Sequence, residues 1–226
     1  MHTLTTLFLQ FVDLVLHLDV HLNQGVAALG PWMYVVLFAI VFCETGLVVM
    51  PFLPGDSLLF ALGALAASEN SVLQFPVLAV SLIAAALCGD VTNYSIGKLV
   101  GPKVFAGSGS KWLNRNHLNR TQQFYEKHGG KTIILARFLP IVRTFAPFVA
   151  GVGQMRYRRF ISFSVVGALT WVISFLSLGF VFGNLPSIKQ NFHYVILAIL
   201  FISTAPVVLE YFRGRRASAQ TGESDA

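Results

Sequence analysis

Long stretches of this chain carry no formal charge. No Asp, Glu, Lys or Arg lies between Phe160 and Ile188, between Asn70 and Gly89, or between Gln190 and Leu209. A helix of roughly 20 apolar residues crosses a bilayer, and the runs predict membrane helices over 72–97, 160–184 and 191–212. Two further apolar runs are interrupted. Residues 51–63 read "PFLPGDSLLFALG" and residues 137–151 read "RFLPIVRTFAPFVAG". Each is broken by proline and glycine, and each carries ionised side chains where a membrane helix should carry none. The run 31–68 breaks at Pro51, Pro54 and Gly55 and is predicted as a hairpin. The run 132–155, turned by Pro140 and Pro147, is predicted as a second one. Non-helical backbone at membrane depth is tolerated only where protein or a wet cavity surrounds it.

Composition agrees with the pattern. Mean hydropathy is +0.67 and only 12% of residues are charged, against about 25% in soluble domains. The expected organisation is an N-terminal helix over 1–30, a membrane transport domain over 31–212, and a disordered tail over 213–226. The start, "MHTLTTLFLQFVDLVLHLDVHLN", lacks the basic n-region of a signal peptide and is expected to stay attached. Asp13, His17, Asp19 and His21 make 4–22 a poor span, so it either crosses weakly or lies at the interface. Cys43 and Cys88 sit in apolar segments and are expected as buried packing residues, not a disulfide.

The sign of the charge switches along the chain, which fixes a topology. Residues 1–97 hold Asp13, Asp19, Glu44, Asp56, Glu69 and Asp90 with no Lys or Arg, whereas 98–226 hold all 16 bases. Lys and Arg flanking membrane helices stay on the cytoplasmic side, so 98–131, 156–159 and 213–216 should face inward. The positive balance therefore marks cytoplasmic loops, not nucleic-acid binding. Helix 72–97 then runs inward and helix 160–184 outward. The hairpin 31–68 enters from outside and 132–155 from inside. The predicted fold is an all-α polytopic membrane protein, with two oppositely oriented re-entrant helical hairpins and transmembrane helices forming an inverted repeat.

Each ion at the bilayer centre costs about 2.5–3.5 kcal/mol on insertion scales, so Glu44, Asp56, Arg137 and Arg143 together would cost on the order of 10 kcal/mol unpaired. That rivals the whole stability of a domain. Two acids in one hairpin and two arginines in the other make pairing across the hairpins the simplest solution. Static salt bridges would satisfy it; so would a working site. Arginine stays charged and offers a planar fork of donors suited to phosphate, making Arg137 and Arg143 candidate phosphate ligands. A carboxylate withdrawn from water holds its proton more tightly, and an adjacent arginine opposes this. Competition for the arginines would thus couple anion binding to protonation of Glu44 or Asp56. Asp90, near the cytoplasmic end of its helix, either pairs with a hairpin arginine or snorkels to solvent. Pro54, Gly55 and Pro140 shape the breaks, and Asn93 and Tyr94 read as helix-packing residues. "AGSGSKW" at 106–112 lacks the ending of a phosphate loop.

The segments "FCETGLVVMPFLPGDSLLFALGALA", "GDVTNYSIGKLVG" and "FYEKHGGKTIILARFLPIVRTFAPFVAGVGQM" closely resemble the DedA family of bacterial inner-membrane proteins, over about residues 30–185. The resemblance implies flipping of polyprenyl phosphate or phospholipid between leaflets and a dependence on the proton motive force. It also places the family's essential acids on Glu44 and Asp56 and its essential arginines on Arg137 and Arg143. Undecaprenyl phosphate is the first expected cargo, with phospholipid scrambling as the alternative. Expected partners are membrane lipids and protons, with a second copy of the chain as a candidate; no cofactor or metal is expected. An enzyme is not expected, because none of His2, His17, His21, His117, His128 and His193 lies in a hairpin core to act as a base. A proton-coupled ion antiporter and a partner-binding scaffold are the other rivals.

Overall fold

The computed structural model describes residues 18–47, 55–68, 71–106 and 131–183, together with 185, 186, 188, 191–199 and 201. Among the described residues every regular element is helical, as a bilayer requires of a backbone that must satisfy its own hydrogen bonds. The order is α1 (Leu18–Leu29), a 3-10 turn (Gly30–Trp32), α2 (Met33–Gly46), α3 (Gly55–Ala66), α4 (Phe75–Ala106), α5 (Lys131–Ala136), α6 (Pro140–Val152) and α7 (Tyr157–Phe182). A further helical stretch covers 192–199. Val20–Gly46, Phe75–Gly101 and Tyr157–Phe182 are long and apolar enough to cross a membrane. At 1.5 Å per residue, the 12 residues of α3 reach about 18 Å, short of a hydrocarbon core of about 30 Å.

Several boundaries differ from the sequence reading. The helix expected over 72–97 continues to Ala106, since Lys98 is a good helix former whose stem can lie along apolar surface. The helix expected from 160 starts at Tyr157. Pro140 opens α6 as a first-turn proline, where a missing N–H costs nothing, and the chain turns just before it at Arg137–Leu139. Pro147 does not turn the chain; it lies inside α6. Proline is tolerated within a membrane helix when its surroundings accommodate the interrupted backbone; the carbonyl that Pro147 leaves without its helical donor is that of Arg143. Cys43 and Cys88 are both free, but Cys88 is exposed, not buried: the outer face of a membrane helix has no need to be polar. The expectations for residues 1–17, for Pro51 and Pro54, for the loop 107–130, for the second half of the helix expected over 191–212 and for the tail fall outside the described residues.

Contacts give the helices their relative directions. Phe75 packs on Phe180 with ring centroids 5.2 Å apart, while Tyr94 stacks on Phe160 at 4.4 Å, so α4 and α7 are antiparallel. Phe60 and Ala64 of α3 meet Gly179 and Gly183 of α7, so these two run parallel. Phe148 and Val152 of α6 meet Gly97 and Gly101 of α4, again parallel. Both crossings are built on absent side chains. A Cβ on Gly63 would strike the Leu176 carbonyl and Phe180 amide of α7; one on Gly151 would strike the Tyr94 carbonyl and Lys98 amide of α4. One register shift carries Phe60, Gly63 and Ala64 onto Phe148, Gly151 and Val152. A second carries Leu176, Gly179, Phe180 and Gly183 onto Tyr94, Gly97, Lys98 and Gly101. Small residues at such crossings let helix backbones approach closely, which is how membrane helices gain packing without a hydrophobic driving force.

The Tyr34 hydroxyl accepts from the Gln74 amide at 2.7 Å. The start of α2 is thereby tied to the entry of α4, and α3 returns to that same end of the bundle. The main core gathers Leu37, Leu59, Leu62, Leu78, Trp171 and Leu176, and a smaller one gathers Tyr94, Ile133, Ala150 and Phe160. Val80, Leu99, Val166, Val181 and Phe201 are exposed, forming an apolar exterior that suits acyl chains rather than water.

Candidate functional site

Five ionisable side chains are enclosed where these helices meet. Glu44 and Asp90 are 1% exposed, and Asp56, Arg137 and Arg143 are 3% exposed. Glu44 lies near the end of α2 and Asp56 at the start of α3, where the helix dipole favours an acid. The Glu44 carboxylate rests against Gly55, at which a Cβ would overlap both of its oxygens; glycine allows the carboxylate to lie where Arg143 holds it. Arg143 sits one turn into α6. Arg137 lies in the turn between α5 and α6, Asp90 in the middle of α4, and Ser164 and Trp171 on α7.

The ions form two clusters that share one indole. Arg143 donates through Nη1 to Asp56 Oδ1 at 2.9 Å and through Nη2 to Glu44 Oε1. Trp171 Nε1 donates to the same Asp56 oxygen at 2.8 Å, and its ring centroid lies 4.6 Å from Arg143 Cζ. In the second cluster, Arg137 Nη1 donates to Asp90 Oδ2 at 2.6 Å and approaches the Ser164 carbonyl at 3.5 Å. Ser164 Oγ donates to the same Asp90 oxygen. Arg137 Cζ is 5.7 Å from the Trp171 centroid. Placing a guanidinium over an indole contributes about 2 kcal/mol when desolvated.

Asn93 joins the two interrupted runs. Its Nδ2 donates to the Thr45 carbonyl at 3.2 Å and the Thr144 carbonyl at 2.6 Å, binding the end of α2 to the start of α6. Tyr94 donates from its hydroxyl to the Met155 carbonyl, anchoring the exit of α6. Several polar atoms remain buried without a hydrogen-bond partner among the described residues: Glu44 Oε2, Ser57 Oγ, Asn93 Oδ1, Arg143 Nε, and both Nε and Nη2 of Arg137. Each such atom costs about 1–3 kcal/mol, so the strain of desolvation is concentrated at this site. Among the described residues, no three His, Cys, Asp or Glu side chains converge as a metal would require.

The structure therefore brings together Glu44, Asp56, Arg137 and Arg143, with Gly55 in contact and Asp90 as a further member. The pairing departs from expectation in one respect. Arg143 takes both acids of the first broken run, while Arg137 pairs with Asp90 of α4; the snorkelling alternative for Asp90 is excluded by its burial. Tyr94 acts by packing at one remove. Trp171, Ser164, Thr45 and Thr144 escaped the sequence reading. Trp171 alone left a signal, as an indole in a charge-free run needs an acceptor when buried.

A helical bundle with an apolar exterior and ions sealed inside defines an integral membrane protein. Residues 53–181 match the VTT domain. Protein DedA of Escherichia coli K12 is 53% identical over 212 residues, covering 94% of this chain and 97% of DedA. An uncharacterized membrane protein of Mycobacterium tuberculosis H37Rv is 41% identical over 189 residues, covering 84% and 83%. The inner membrane protein YqjA of E. coli K12 is 31% identical over 180 residues, covering 80% of each. No solved structure matches the chain. The chain belongs to the DedA family of VTT-domain membrane proteins, and it is a multi-pass protein of the bacterial inner membrane.

Proposed function

We propose that this protein carries a lipid phosphate, of which undecaprenyl phosphate is the leading candidate, between the leaflets of the inner membrane, coupled to protons. The observation carrying this reading is the enclosed cluster itself: two arginines against three acids inside an otherwise apolar bundle. Replacing buried ion pairs by apolar residues is often neutral or stabilising, so retaining five ions at membrane depth needs a reason beyond stability. Arginine suits the phosphate, the bilayer can keep the tail, and the acids exchange the proton. With all five ionised the cluster carries a formal −1, and an entering anion adds to it. Co-entry of a proton onto Glu44 or Asp56 relieves that excess. The lipid leaves chemically unchanged, which makes the protein a carrier and not an enzyme.

The same reading takes α2–α3 and α5–α6 as oppositely directed re-entrant hairpins of an inverted repeat. Supporting it are the antiparallel α4 and α7, the parallel pairs α3–α7 and α6–α4, and the matched glycine registers at the two crossings. Broken helices meeting at a shared site are a recurrent carrier design.

Reconstitution into proteoliposomes with labelled undecaprenyl phosphate and an imposed pH gradient tests the proposal. Expected is leaflet movement that follows the gradient and is lost in Arg137→Ala. Movement in that variant equal to the unaltered protein, or transfer of phospholipid in preference to the polyprenyl lipid, would replace this reading.

A further inference from the structure

The two arginines present different edges to their surroundings. Arg143 spends both terminal nitrogens on carboxylates, Nη1 on Asp56 and Nη2 on Glu44. Arg137 spends only Nη1, on Asp90 and the Ser164 carbonyl. Its Nε and Nη2 are buried and without a partner among the described residues. These two atoms are not an arbitrary pair. Their N–H bonds point the same way along one side of the planar group, forming the fork that grips two oxygens of a carboxylate or phosphate at once. On Arg143 one member of the corresponding edge, Nη2, is already engaged by Glu44, and only Nε is without a partner among the described residues.

We infer that the Nε–Nη2 edge of Arg137 is the seat of the phosphate oxygens, and that Arg143 is a positioning residue that holds Glu44 and Asp56. This deepens the lipid-phosphate reading and rests on it. Asp90 and Ser164 serve the seat from the opposite side. Asp90 balances the Arg137 charge and, with the Ser164 carbonyl, fixes the plane of the guanidinium; Ser164 Oγ in turn fixes Asp90. Gly167 completes the arrangement, because a Cβ there would meet Arg137 Cδ at 3.3 Å, so the stem would have to give by a few tenths of an ångström. A phosphate ester and free phosphate share the chemistry this edge recognises, and the test must separate them.

Trp171 supplies the readout, since its ring lies 5.7 Å from Arg137 Cζ. Replacing Trp32 and Trp112 by Phe leaves it as the only tryptophan of the three. The detergent-purified protein is titrated with a short-chain polyprenyl phosphate, the matching polyprenol, and inorganic phosphate. Expected is a saturable fluorescence change with the lipid phosphate, absent with the alcohol, and far weaker with inorganic phosphate. Arg137→Lys keeps the charge and loses the fork, and should weaken binding about tenfold or more. Arg143→Lys should bind within roughly threefold while losing translocation, a split that a shared clamp would not produce. Gly167→Ala, which alters no polar group, should weaken binding roughly threefold by displacing the fork.

Saturable binding that Arg143→Lys impairs as much as Arg137→Lys would overturn the assignment and leave the lipid-phosphate reading standing. Equal affinity for inorganic phosphate supports the seat but overturns the lipid source. No response to any phosphate probe overturns both. Should Arg137→Lys fail to fold, judged by helix content and elution, Gly167→Ala decides alone: undiminished affinity there overturns the seat.

Discussion

Arg143 and Trp171 hold Asp56 between them: the guanidinium and the indole N–H both donate to the same carboxylate oxygen, and the two cationic and aromatic faces lie 4.6 Å apart. One acid of α3 is thus fixed from two helices, α6 and α7, whose donors lie 87 and 115 residues further along the chain. Trp171→Phe keeps an aromatic ring against both arginines while removing the donor and part of the buried indole. A loss of about 1–3 kcal/mol is expected, seen as a lower melting temperature in detergent. An unchanged melt would mean that Arg143 alone positions Asp56.

Removing Arg143 deprives Glu44 and Asp56 of the guanidinium that binds both. Breaking a buried pair in this way costs about 3–5 kcal/mol. Arg143→Ala should therefore unfold or express poorly, and the added changes Glu44→Gln and Asp56→Asn should restore much of the loss. Folding recovered without translocation would separate the structural role of the cluster from its functional one; no recovery would show that Arg143 contributes chiefly by packing.

Glu44→Gln preserves shape and removes one negative charge. Translocation should cease to respond to an imposed pH gradient, with the melting temperature falling little. Retained gradient dependence in liposomes would shift the proton site to Asp56 or Asp90.

Asn93 binds two carbonyls that belong to different broken runs. Asn93→Ala should cost about 1–3 kcal/mol and raise amide exchange at the start of α6 and the end of α2 together. Faster exchange confined to one of them would mean the bridge is not shared.

At the two helix crossings, Gly63→Ala and Gly151→Ala each force a Cβ into facing backbone. Overpacking of about 1–3 kcal/mol is expected at both. Gly30→Ala meets nothing within 4 Å and carries only the strain of its φ of +51°, about 1–2 kcal/mol. Thermal melts of the three variants compare directly; a large effect at one crossing alone would argue against their equivalence.

Composition and spacing alone indicated the class of protein, its long apolar helices and four of the five buried ions, with Asp90 left between pairing and solvent. Uncharged runs as long as a bilayer is thick, and charges stranded among them, are local properties with few physical solutions. The sequence also located the break at Pro140, because proline acts on its own backbone. Tertiary structure decided who pairs with whom. Arg143 could claim both acids of the first broken run only once α2, α3 and α6 converged, and Asp90 became the partner of Arg137 only because the turn between α5 and α6 packs against the middle of α4. Pro147 misled because whether a proline turns a membrane helix or stays inside it depends on the neighbours packed round it, which no local reading contains. Trp171 and Ser164 matter through distances across the bundle, and a distance between remote residues is set by packing, which no single stretch of chain encodes.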